Sequence, residues 1–267
     1  MPDPAITRLN SRLVDKPWGR DDLDPCFGAP AGRTVGEIWF ERPDGAAGDI
    51  LAKYLFTGER LSVQVHPDDC QAQATGLPSG KDECWLVVGA DDAAEWAVGL
   101  KREADVEAVV AAARDGSIVD LLDWRRPVVG EFLYNPAGTI HSLGPGLTVL
   151  EIQQAVDVTY RLYDYGRDRP LHLDQAAAVM RTAPHHDPRD TIVGDDSRVL
   201  VDGPKFGVAW CVGTPPLLPS GIEEVQLLPV EGQIGGAGPG QCVILDGAAA
   251  QTLSGAARYV LAWATPG

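Results

Sequence analysis

Methionine occurs twice, histidine five times and cysteine five times in 267 residues. The cysteines (Cys26, Cys70, Cys84, Cys211, Cys242) are odd in number, scattered and without a CxxC pair. That excludes a zinc ribbon or a disulfide framework and leads us to expect reduced, buried thiols. Basic residues are also scarce, 22 Lys and Arg against 38 Asp and Glu, for a formal net charge of −16. A nucleic acid or an anionic membrane needs clustered cations, so neither is expected as a partner. A small anionic substrate stays possible, because a pocket can be basic inside an acidic protein. No apolar run reaches the roughly 18 residues of a membrane span. Met1–Gly19 shows no apolar core of a signal peptide, so a soluble cytoplasmic protein is expected.

What is abundant is glycine, at 30, and proline, at 21, which makes long helices improbable over most of the chain. Between turn signals run short strand-like segments: Thr34–Glu41, Asp49–Thr57, Leu61–Val65, Glu83–Val88, Glu131–Asn135, Thr148–Gln154 and Thr159–Asp164. Such spacing reads as a sandwich or barrel. Lys101–Leu122 has apolar residues at helical spacing and reads as a helical insert. Leu173–Met180 reads as a short helix with Asp174 as its N-cap. The polar, Pro-rich stretch Thr182–Asp196 reads as a connector. Further strands are expected at Arg198–Val201, Phe206–Val212, Glu223–Pro229, Gln241–Leu245 and Arg258–Ala264. The fold class is therefore mainly β, with residues 1–185 and 186–267 as its two units.

Two segments carry the informative chemistry. One is Gly58-ERLSV-Gln64-Val-His66, followed later by Glu83; the other runs from Gly130 through Pro136 and Gly138 to His141. Gln64 and His66 lie two apart on a strand and so share a face. If the strands line one barrel, an amide oxygen, two imidazoles and a carboxylate converge. That mixed set suits Zn²⁺, with Mn²⁺, Fe²⁺ or Co²⁺ as alternatives, and leaves room for water or substrate. His172, His185 and His186 read as hydrogen-bonding residues of a connector, not as a second metal site.

The joint pattern resembles the two cupin motifs, with Gln64 in place of the first histidine. LSVQVHPDD (Leu61–Asp69), GKDECWLV (Gly80–Val87), PAGTIHSLG (Pro136–Gly144) and LEIQQAVDVTYRLYDYGR (Leu150–Arg167) resemble type I mannose-6-phosphate isomerase in its compact bacterial form. KPWG (Lys16–Gly19) and GEIWF (Gly36–Phe40) resemble its N-terminal strands. The resemblance covers about residues 10–185 closely; the remainder resembles a second, degenerate cupin half.

This resemblance implies two cupin-type β-sandwich units with a small helical insert, which is a remnant of the larger helical domain of longer members or a lid. It implies one Zn²⁺ per chain on Gln64, His66, Glu83 and His141. It implies reversible interconversion of mannose 6-phosphate and fructose 6-phosphate through a cis-enediol, with a hexose phosphate as the small-molecule partner. Arg161 matches the arginine near the reacting carbons; the plain alternative is a salt bridge to Asp164. Glu151 matches an active-site glutamate, against a strand carboxylate on a solvated face. Lys81, Ser62 and Lys53 match substrate-contacting positions. Trp18 is left to the core. Rival readings are a cupin acting on another sugar, an Fe²⁺ cupin oxygenase and a non-catalytic sugar-binding cupin. The oligomeric state is left unassigned.

Overall fold

A computed structural model describes residues 6–265, so the first and last few residues of the two expected units lie outside it. The strands form three antiparallel sheets. The seven-stranded sheet holds β2 (Asn10–Val14), β3 (Glu37–Glu41), β4 (Ile50–Thr57), β6 (Glu83–Ala90), β9 (Glu131–Asn135), β11 (Leu147–Gln154) and β13 (Thr191–Ile192). The five-stranded sheet holds β5 (Val63–Val65), β7 (Trp96–Leu100), β8 (Leu122–Arg125), β10 (His141–Leu143) and β12 (Tyr160–Tyr163). β1 (Thr7–Arg8), β14 (Arg198–Asp202), β15 (Phe206–Val212), β16 (Glu224–Glu231), β17 (Val243–Asp246) and β18 (Arg258–Ala264) form the six-stranded sheet.

The seven-stranded sheet is central because it is apolar on both faces. Its outward side chains, including Phe40, Tyr54, Phe56, Leu86 and Phe132, pack against Leu200, Phe206, Val208, Trp210 and Val260 of the six-stranded sheet. Its inward side chains Leu55, Trp85, Val87, Leu133 and Val149 meet Trp96, Val98 and Leu143 of the five-stranded sheet. Trp18 is buried in this second core, as expected of a structural tryptophan. The six-stranded sheet covers its remaining face with loops and α5 (Gly247–Gln251), around Leu218, Ile234, Ala250 and Trp263.

Three expected strands, β9, β15 and β18, have the bounds read from the sequence, and most others shift by one to three residues. The insert is two helices, α2 (Val106–Asp115) and α3 (Ile118–Leu121). Val109, Ala112, Ala113 and Ile118 pack on Val63, Val65 and Leu162, on the outer face of the five-stranded sheet. The lid reading is therefore wrong: the helices cover the side of that sheet away from the sandwich interior. α4 (Leu173–Val179) packs in the same layer, and His172, not Asp174, stands at its N-cap; Asp174 lies in the first turn. KPWG is a turn whose Gly19 N–H donates to Lys16 O, because the adjacent N-terminal strand, β2, ends at Val14. All five cysteines are free, but Cys26 and Cys70 are exposed, which corrects the expectation of burial for those two.

Candidate metal centre

The ligand-type residues converge because each lies on an inward-facing position of the sandwich. On the five-stranded sheet, Gln64 pairs in register with Arg161 on one side and His141 on the other. Cross-strand partners share a face, so Arg161, Gln64 and His141 form one row. On the seven-stranded sheet, Glu83 stands opposite Asn135 and Gln153, while Trp85, Glu151, Lys53 and Trp39 form a neighbouring row.

His66, Glu83 and His141 bring one donor atom each within 4.8 Å of the others, and all three are buried. His66 Nε2 is 3.4 Å from Glu83 Oε2, and His141 Nε2 is 3.3 Å from Glu83 Oε1. Glu83 thus turns a separate oxygen toward each ring, and the three side chains are close enough to hold one metal ion between them. Each ring has a carbonyl behind it: His66 Nδ1 donates to Val158 O at 2.8 Å, and His141 Nδ1 lies 2.9 Å from Thr139 O, which can only accept, and 3.1 Å from Asn135 Nδ2. Both Nε2 lone pairs therefore face the centre, the outer-sphere arrangement of a histidine ligand.

Two N–H donors meet those lone pairs. Gln64 Nε2 is 3.2 Å from His141 Nε2, and Lys81 Nζ is 3.2 Å from His66 Nε2 and 2.8 Å from Glu83 Oε2. Lys81 thus pairs with Glu83 beside His66. The Gln64 carbonyl oxygen accepts from Ser62 Oγ at 3.0 Å. A half-turn of this amide presents its oxygen to the centre and leaves its N–H₂ for Ser62. Asn135, which sequence reasoning missed, donates to Glu83 Oε1 at 2.8 Å; only its place before Pro136 hinted at it.

Burial is opposed by charge throughout the site. Desolvation disfavours the Glu83 carboxylate, yet Lys81, His66 and His141 outweigh it and hold the group well below the usual carboxylate range. Burial first, then Lys81, pushes His66 down to about 3, so the ring is a neutral donor. Lys53 and Glu151 form a buried ion pair at 2.6 Å, and Trp85 Nε1 donates to the other Glu151 oxygen at 3.0 Å. Glu151 is therefore not on a solvated face. Desolvation, then Lys81, pushes Lys53 down to about 8 against Glu37 and Glu83.

Arg161 makes no salt bridge among the described residues. Asp164 is taken instead by Arg167 at 3.2 Å and Arg169 at 2.6 Å. Burial, then Arg169, lowers the Arg161 pKa. His185 bonds Asp190 at 2.9 Å, and no metal-type cluster outside His66, Glu83 and His141 occurs among the described residues. A cleft of about 1040 Å³ lies away from the donors, lined by Trp39, Asp49, Gln226 and Trp263 among others; none of the four donor residues reaches it.

No protein-family model matches the chain. Mannose-6-phosphate isomerase from Streptococcus mutans is 36% identical over 244 residues, 75% of this chain and 76% of that protein. Probable mannose-6-phosphate isomerase GmuF from Bacillus subtilis is 39% identical over 173 residues, 60% of this chain. This match spans about half of the relative, 54% of its length. The solved mannose 6-phosphate isomerase from Bacillus subtilis superposes with a TM-score of 0.79 at 25% identity, covering 96% of this chain and 99% of that one. A solved mannose 6-phosphate isomerase bound with zinc and yttrium shares the fold, with a TM-score of 0.68 at 14% identity over 98% of this chain and 100% of that one. With three of the motifs bringing His66, Glu83 and His141 into one buried donor cluster and a relative matched over three quarters of its length, the chain belongs to the mannose-6-phosphate isomerase family.

Proposed function

We propose that the protein interconverts mannose 6-phosphate and fructose 6-phosphate at a single zinc ion held by Gln64, His66, Glu83 and His141, in the cytoplasm. The observation that carries this reading is the buried cluster of two tautomer-fixed histidines and one carboxylate beside Lys81, in a chain of this family. When bound, zinc supplies Lewis acidity that orients and polarises sugar oxygens.

The chain's own residues do the remainder. Isomerisation moves a proton between C2 and C1 and builds negative charge on the enediol oxygens between the two transfers. Arg161, a permanent cation with no carboxylate partner among the described residues, stands one strand from Gln64 and is assigned to stabilise that charge. Glu151 is assigned to proton or hydroxyl handling, with Lys53 and Trp85 each holding one of its oxygens. Lys81, Ser62 and Lys53 are assigned to the substrate and its phosphate.

Purified protein with stoichiometric zinc is expected to convert either hexose phosphate into the other in a coupled assay. Zinc-loaded protein that converts neither sugar phosphate contradicts the assignment.

A further inference from the structure

Asp82 stands between Lys81 and Glu83, yet its side chain serves the opposite side of the strand. Its Oδ1 accepts from Ala137 N at 2.9 Å and its Oδ2 from Tyr134 O–H at 2.6 Å. Its own N–H donates to Gln154 Oε1 at 2.9 Å, and its carbonyl accepts from Gln154 N at 3.1 Å. One residue of the first motif is thus bonded to the Pro136–Ala137–Gly138 turn of the second.

That turn governs two more donors. Gly138 N–H donates to His66 O at 2.8 Å, and Thr139 O receives the His141 Nδ1–H that aims its Nε2 at the centre. Tyr134 is itself clamped, since its N–H donates to Asp190 Oδ1 at 2.9 Å and the Arg189 guanidinium lies 3.3 Å over its ring. Charge-assisted hydrogen bonds such as the short one from Tyr134 are the stronger kind. A displacement of the turn would move His141 and His66 away from Glu83 together.

We infer that Asp82 is a positioning residue: its carboxylate joins the two ligand-bearing segments and sets the separation of Glu83 from His66 and His141. The inference rests on the proposed zinc site. A partner bonded directly to a ligand is worth about 10- to 100-fold in metal affinity; Asp82 acts one contact further out, through the turn, so the lower end of that range is the expected effect.

The test is zinc affinity, measured by competition with a chromophoric chelator, for wild type, Asp82→Ala, Asp82→Asn and Tyr134→Phe. Asp82→Ala is expected to weaken zinc binding by about 10-fold. Asp82→Asn, which keeps the acceptor for Ala137 N–H, and Tyr134→Phe, which deletes only the hydroxyl, are expected to weaken it less and to similar degrees. A residue that only supported the fold would lower the melting temperature and leave zinc affinity unchanged. Wild-type zinc affinity in both Asp82 variants overturns the inference; if Asp82→Ala fails to fold, Asp82→Asn and Tyr134→Phe decide it. Wild type that binds zinc but interconverts no hexose phosphates removes the proposed reaction and leaves this inference standing. Wild type that takes up no zinc removes both.

Discussion

At the residue scale, the site is built from charges that are individually costly and collectively neutralised. Lys53 is the clearest case, since a fully buried ammonium is stable only beside Glu151 and Glu37. Its pKa of about 8 means that it is protonated at neutral pH and loses its charge as pH rises through that value. If it binds the substrate phosphate, KM rises above pH 8, and Lys53→Met, measured in the same steady-state assay, flattens that rise. Linkage gives the sign for stability. The unfolded chain keeps the Lys53 proton up to about 10.5, so between about 8 and 10.5 it binds more protons than the folded one, and this group's contribution to stability increases with pH. Lys53→Met removes that increment, which thermal melts at pH 7.5 and pH 10 detect.

At the element scale, short strands aim the donors, and one tight loop carries Lys81 back to His66. Gly80 makes the return possible: a Cβ there would lie 2.4 Å from Asp68 C and 2.7 Å from Pro67 O, both backbone atoms that cannot step aside. Gly80→Ala is expected to cost about 1–3 kcal/mol of stability, as overpacking does, and to lower kcat/KM by displacing Lys81. An unchanged kcat/KM would show that Lys81 does not depend on this approach. The outer end of the loop is fastened by α1 (Asp69–Ala74), whose Asp69 accepts from Gly80 N–H and Gln154 Nε2 and pairs with Lys205 of the C-terminal unit.

Much of this was legible beforehand, and the misses have physical causes. Strand alternation puts Gln64 and His66 on one face, and the G-x5-PxG-x2-H spacing, through the resemblance, located His141. β7 was missed because all five of its residues are buried, which erases the period-two signal, and β10 because three residues are too few to show one. α1 was missed although its capping box, Asp68 with Gln71, is written in the sequence. Asp82 and Asn135 carry no periodic or spacing signal; only the sheet register reveals what they touch.

At the scale of the whole molecule, the two proposed units share more than a boundary. β1 of the N-terminal part pairs with β17 of the C-terminal part, and the largest core is formed jointly by the two sheets. Removing residues 196–267 would expose Phe40, Phe56 and Phe132, a patch too large for a soluble monomer to leave uncovered. Calorimetry should therefore show one cooperative unfolding transition, whereas two resolved transitions would mean independently stable units. The net charge of −16 also acquires a meaning at this scale. Whole-molecule steering would not favour the proposed dianionic substrate, so attraction would have to arise at short range, from Lys81, Lys53 and Arg161 and from zinc once bound.

The central claim is that one zinc ion on Gln64, His66, Glu83 and His141 supports the isomerisation. Zinc titration of chelator-stripped protein, followed by interconversion of the two hexose phosphates, tests it most directly. Activity should rise linearly and break at one zinc per chain. His141→Ala should retain no zinc, while Arg161→Ala should keep the same break point and lose about 10²- to 10³-fold in kcat. Full activity in the stripped protein, or in His141→Ala without zinc, would contradict the account.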